Sequence, residues 1–287
     1  RQGLDRKPFR SYLGGLGYIM LSTRPDLAYS YKELARFNTI YGKEHWDALM
    51  RTISYLNKTK DTHKLHITKA GGKRLETYCD ADWNAADVHL STTGWIVFYG
   101  NAPISWCSQM QPATARSTCE AEFISLSHAA METVYLTRLA RSLHIVEGPT
   151  PIFCNQGPSN EESAYKVWCD YKKHAKVFDY THMPAMLWSD SQNAIANAHT
   201  PFGWLTNKLR HIKTAFHFVK QYVLPNDQDC NLTLEATDRD AYGLGHVRGE
   251  DNPSDILTKG FGDKNTKKNA KAEVFTRHAR FCLGMRH

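Results

Sequence analysis

No stretch of the sequence stays apolar over the roughly 18 residues that a membrane span needs, and no leader precedes Arg1. The expectation is a protein with no membrane partner. No C-x-x-C pair occurs, and the seven cysteines (Cys79, Cys107, Cys119, Cys154, Cys169, Cys230 and Cys282) are odd in number and scattered. Neither a zinc knuckle nor a disulfide framework is indicated, and reduced thiols of an intracellular protein are expected. A Walker loop, a G-x-S-x-G elbow and a dinucleotide fingerprint are also missing, which removes the common nucleotide-binding and serine-hydrolase readings. Apolar residues are not scarce: 41% hydrophobic and 23% charged is ordinary globular usage, and 287 residues can bury one large core or two modest ones.

What is present is a polarised charge. The net charge is +7, but residues 1–70 carry 13 Lys/Arg against 6 Asp/Glu, residues 71–258 carry 15 against 21, and residues 259–287 carry 8 against 2. Basic flanks suit a polyanion, because each phosphate neutralised releases counterions. The acidic middle is odd for a plain nucleic-acid binder unless some of its carboxylates hold metal ions.

Apolar residues recur at helical spacing over 25–41 and 44–57, around Gly42, and predict a helical hairpin. Alternation over 63–69 and 73–80 around Gly71-Gly72, then β-branched and aromatic runs at 92–99 and 102–107 around Gly100-Asn101, predict an antiparallel meander. From Ser117 to about Leu143 neither Gly nor Pro interrupts, and Phe123, Leu126, Ala130 and Val134 mark the buried face of a long helix. Residues 147–185 have no clear period and read as an insertion. A short strand at 186–189, helices at 191–198 and 207–223, and strands at 230–235 and 242–247 follow, then a helix start at 252–259. The Lys-rich end beyond 260 suits a helix or a loose tail. Strands first, then alternating helices and strands, argue a mixed α/β sheet.

Four acids fall at element ends: Asp80, Glu122, Asp190 and Asp255. Singly, an Asp at a helix start is most often a cap. Asp82 shares a strand face with Asp80, so periodicity leaves both open. Glu120 and Glu122 separate, because two residues turn a helix by about 200°. Glu122 shares its face with Leu126 and Ala129, which makes it the sheet-facing residue.

In order, YCDADW, STTGWIVFYGNAPISWCSQMQ, ARSTCEAEFISLSHAAMETVYL, LWSDSQNAIANAHTP, LRHIKTAFHFV and HVRGEDNPSDILTKGF closely resemble the ribonuclease H domain of copia-type LTR retrotransposon polyproteins. Upstream, SYLGGLGYIMLSTRPDLAYSYKELARF and KEHWDALMRTISYLNKTKD look like the end of the same polyprotein's reverse transcriptase, without the polymerase palm. The resemblance implies a ribonuclease H-like mixed five-stranded sheet with flanking helices, preceded by a small helical region. It divides the chain into a helical remnant at 1–70, a ribonuclease H-like domain at 71–262 with the insertion at about 147–185, and a basic tail at 263–287.

It also implies a metal-dependent endonuclease that cuts the RNA strand of RNA–DNA hybrids. Asp80, Glu122, Asp190 and Asp255 match the family's metal-binding carboxylates, and the cofactor expected is Mg²⁺, two ions, with Mn²⁺ an alternative. Hard oxygen ligands suit such ions, which activate a water and stabilise the leaving oxygen of a phosphodiester. His246 matches the family's His-Val and is a candidate catalytic helper. The catalytic His of related nucleases lies just after it, where this chain has Arg248 and Gly249. His211 suits packing or phosphate contact. Residues 149–156 look like a second copy of the fourth-strand opening, with Asn155 where Asp is expected. The partner implied is an RNA–DNA hybrid or RNA gripped by the basic flanks, in the cytoplasm or nucleus. The rival reading is a domesticated, inactive module within a ribonucleoprotein, in which case an organelle is also open. Trp83, Trp95 and Trp106 suit core packing better than base stacking, and nothing near His63 and His66 completes a metal site.

Overall fold

The computed structural model describes residues 7–68, 74–83, 90–145, 185–199, 218–219, 242–260 and 268–285. The expected insertion apart from Ala185, Asn155, His211, the strand at 230–235 and all but two residues of the helix at 207–223 lie outside them.

Three helices come first: α1 (Phe9–Thr23), α2 (Ala28–Ala35) after a tight turn at Pro25–Leu27, and α3 (Lys43–Thr59). Strands β1 (Leu75–Asp82), β2 (Thr92–Tyr99) and β3 (Ala102–Met110) precede the long helix α4 (Thr118–Ser142). Then follow β4 (Ala185–Ser189), α5 (Gln192–His199), β5 (Gly243–His246), the one-turn helix α6 (Asp255–Thr258) and α7 (Lys268–Cys282). The sheet order is β3-β2-β1-β4-β5. β1 pairs antiparallel with β2 and parallel with β4, and β4 pairs parallel with β5. This is a mixed five-stranded sheet with flanking helices, as the motifs implied.

Each face of the sheet is covered. Leu75, Cys79, Val97 and Leu187 bury one face against Phe123, Leu126, Ala129 and Val134 of α4. Ile96 and Phe98 bury the other against Leu13 and Leu16 of α1, Leu49 of α3, Leu257 of α6 and Ala279 and Cys282 of α7. Alternation along β2 sends Val97 one way and its neighbours the other, as a strand buried on both faces requires.

Two differences from the sequence reading have physical reasons. Helix α1 is not among the expected elements; a Cβ at Gly17 would come within 2.7 Å of the Tyr31 ring on α2, so this glycine admits close helix packing. No strand forms at 64–68. The His66 N–H donates instead to the Leu283 carbonyl at 2.8 Å, beside the end of α7. Of the two readings open for the Lys-rich end, the helix is the one that forms, over Lys268–Cys282, and its Phe275, Ala279, Phe281 and Cys282 pack into the second cluster. Its Arg277 and His278 both donate to the Glu250 carbonyl, His278 at 2.9 Å, and so hold the turn at Gly249–Asp251.

A glycine also sets the seat of α6. A Cβ at Gly94 of β2 would lie 2.7 Å from both Leu257 and Thr258. Gly94→Ala is expected to cost about 1–3 kcal/mol by overpacking and to push α6 off β1, which chemical denaturation with and without divalent ions will read as lower stability and a smaller metal-induced gain.

Candidate metal centre

Local structure explains why each acid is available. At the start of α4, Ser117 accepts from the Glu120 N–H at 3.2 Å and Glu120 reaches back to the Arg116 N–H at 2.8 Å, so Glu120 does the capping and Glu122 is released from it. Before α5 the cap is Ser191, whose Oγ accepts from the Ala194 N–H at 3.2 Å. Asp190 is therefore not a cap. Before α6 the side chain of Asn252 accepts from the Ser254 N–H at 3.2 Å and donates to the Cys79 carbonyl at 3.0 Å. That bond ties the turn before α6 to β1 beside Asp80, and Asp255 is the first residue of α6 itself.

Ser125 of α4 donates to the Asp80 carbonyl at 2.6 Å, tying the long helix to the same strand residue. The result is convergence: Asp80, Glu122 and Asp190 each present an oxygen within 4.8 Å of the others. Of the two β1 aspartates, Asp80 is the one in this cluster. Asp255 joins from the far side through Lys259, whose ammonium donates to Asp255 Oδ1 at 2.7 Å and lies 3.3 Å from Asp80 Oδ2. Thr258 Oγ1 also donates to Asp80 Oδ2.

Asp80 is 1% exposed and Glu122 8%. Among the described residues, Asp80 Oδ1 and Glu122 Oε2 are buried with no hydrogen-bond partner. Unpartnered buried carboxylate oxygens are costly unless a cation faces them, and a set of hard oxygens is what Mg²⁺ or Mn²⁺ takes. The residues fit a divalent ion.

Electrostatics carry the same mark. Burial first, then the charges of Asp80 and Asp190, push Glu122 up to about 9. Burial and Asp80 push Asp255 up to about 6, against the pull of Lys259. Asp190 is raised by burial and by Asp80, and Lys259 offsets part of this. Burial alone would lower the Lys259 ammonium, but Asp80 and Asp255 hold it above its ordinary range. In the metal-free protein these carboxyls keep protons that the unfolded chain gives up from about 4.5 for Glu122 and 3.8 for Asp255. The folded state thus binds more protons through that window, and stability falls as pH rises from about 4.5 towards about 9. Melting temperatures across pH 5–9 with chelator are expected to fall, and saturating Mg²⁺ is expected to restore most at the alkaline end, because metal displaces those protons.

His246 ends β5 exposed, its residue paired with Ser189 just before Asp190. The turn after it lies against the site: a Cβ at Gly249 would be 3.3 Å from Asp190 Oδ2. Trp95 and Trp106 pack in the core, whereas Trp83, one residue past β1, is largely exposed with its indole N–H on the Ala115 carbonyl at 3.0 Å. The sequence reading missed Lys259 and Thr258. The signal was the i,i+4 spacing from Asp255 to Lys259 in DILTK.

No protein-family profile matches the chain. It is 34% identical over 178 residues, 61% of its length, to a retrovirus-related Pol polyprotein from transposon RE2 of Arabidopsis thaliana, of which it covers 12%. It is 27% identical over 258 residues, 89% of its length, to the corresponding polyprotein from transposon TNT 1-94 of Nicotiana tabacum, of which it covers 15%. A protein named secreted RxLR effector protein 161, from Plasmopara viticola, is 40% identical over 132 residues, 45% of this chain and 92% of that protein. Among solved structures, a ribonuclease H1 from the halophilic archaeon Halobacterium salinarum aligns over 64% of this chain and 94% of that one, at 16% identity and a TM-score of 0.33.

Proposed function

This chain belongs to the family of retrovirus-related Pol polyproteins of copia-type transposons, and on that premise we propose that it is a Mg²⁺-dependent endonuclease cutting the RNA strand of RNA–DNA hybrids. The observation that carries the proposal is the convergence of Asp80, Glu122 and Asp190 with two buried, unpartnered carboxylate oxygens. Asp80, Glu122 and Asp190 would hold one ion, and Asp80 with Asp255 a second. Bound there, such ions lower the pKa of a water and offset charge on the phosphate and leaving oxygen.

The chain's own residues do the rest. Glu122 and Asp190 must shed their protons for the site to load, which makes activity rise with pH through the neutral range. His246, exposed beside Asp190, is placed to carry a proton to or from solvent at the mouth. Trp83 offers an exposed indole face one residue past β1 for stacking on a base or sugar. Strand choice rests on 2′-hydroxyls, which only the RNA strand supplies along the wide minor groove. The first 70 residues we assign to the end of the reverse transcriptase, and the setting to the cytoplasm or nucleus where hybrids form.

The test is a hybrid labelled on one strand or the other. The RNA strand should be cut in Mg²⁺ and both strands spared in chelator. Cutting of the DNA strand, or none at all, would favour the inactive, ribonucleoprotein-bound module.

A further inference from the structure

The two oxygens of Asp80 have different fates. Oδ1 is buried with no partner, whereas Oδ2 takes Thr258 Oγ1 and lies 3.3 Å from the Lys259 ammonium. That ammonium donates at 2.7 Å to Asp255 Oδ1. One oxygen of Asp80 thus has no partner, whereas the other already faces an ammonium that it shares with Asp255.

We propose that Lys259 is a built-in, displaceable cation on the Asp80–Asp255 side of the centre, so that the free protein takes up a single divalent ion and a second enters only when substrate phosphate arrives. The proposal rests on the metal-centre reading above and adds to it the order of loading. Three features make the ammonium a substitute and not a fixed strut. Its side chain is 41% exposed, so it lies at the mouth and has solvent to move into. Its closer pairing, with Asp255 at 2.7 Å, is a local i,i+4 contact across one helical turn, and its tie to β1 at Asp80 is the longer one at 3.3 Å. Asp80 Oδ2 keeps Thr258 Oγ1 as a donor when the lysine leaves. A phosphate at the mouth would supply the alternative partner, since an ammonium pairs with phosphate as readily as with carboxylate. The lysine then moves from acid to substrate as the second ion takes its place. Two divalent ions about 4 Å apart repel strongly unless phosphate oxygens bridge them, and one monovalent ammonium in the second position lowers that repulsion in the resting enzyme.

The test is a Mn²⁺ titration of the free, full chain, read by calorimetry and by the loss of the free-ion electron paramagnetic resonance signal, with no substrate present. Wild type should bind one ion per chain and Lys259→Met two, while Lys259→Arg, which keeps the charge, should bind one. Far-UV circular dichroism reports folding, and Lys259→Gln carries the same prediction should the methionine variant not fold. One ion in both wild type and Lys259→Met, or two in both, overturns the proposal and leaves the metal-centre reading standing. No ion in either overturns both. With a non-cleavable hybrid added, wild type should rise from one ion to two; a count that stays at one contradicts displacement by substrate.

Discussion

Glu122→Gln is expected to make the metal-free protein more stable while removing its response to divalent ions. Glu122 is packed between Asp80 and Asp190, and its proton, held up to about 9, is retained at a cost that grows with pH. A glutamine keeps the oxygen that accepts from the Ala81 N–H and brings an amide donor towards Asp80 Oδ1, which has no partner. The gain at pH 7.5 should be about 1–3 kcal/mol, the magnitude of relieving one buried unsatisfied, charge-opposed group, or roughly 2–4 °C in Tm per kcal/mol. Above pH 5 the fall of wild-type Tm should flatten in the variant. Saturating Mg²⁺ should raise Tm in wild type and leave the variant unmoved. A variant that melts lower than wild type in chelator would show that the carboxylate is a structural strut.

The largest kinetic effect should come from Asp190→Asn. Asp190 follows β4 directly, and its capping duty is already taken by Ser191, so the substitution should change Tm in chelator little or raise it. Loss of one metal-binding charge removes several kcal/mol of transition-state stabilisation, and each 1.4 kcal/mol is tenfold, so cleavage should fall by about 10²–10³ or more. Hybrid affinity should hold or increase, because a negative charge near the phosphates has been removed. Cleavage unchanged by Asp190→Asn would mean that another acid fills the position, with the segment around Asn155 the first place to look.

How much of this was legible in the sequence differs residue by residue. Glu122 was separable from Glu120 because helical geometry alone puts them on opposite sides, and Ser117 then claims Glu120 for the cap. Asp80 and Asp82 were not separable, since both lie on one strand face; Asp80 is the one that Thr258, brought from 178 residues away in the chain, and its neighbour Lys259 meet. Asp190 and Asp255 look like caps because caps are local, but Ser191 fills that duty before α5, and Asp255 lies one residue inside α6, past its cap position Ser254. In α1, Gly17 serves close packing against Tyr31, a contact that no local pattern in the sequence announces. The apolar stripe of α7, Phe275, Ala279 and Cys282 at i, i+4 and i+7, was present but masked by the lysines before it. The sheet itself was legible because β2 and β3 alternate around a tight turn and α4 runs without a break.

The most direct measurement is a crystal structure of the chain grown in Mn²⁺ and read by anomalous scattering at the manganese edge. The account predicts a peak within about 2.0–2.3 Å of carboxylate oxygens from Asp80, Glu122 and Asp190, with Asp80 Oδ1 and Glu122 Oε2 among the ligands. No peak there at saturating Mn²⁺, or a peak held by other residues, would contradict it.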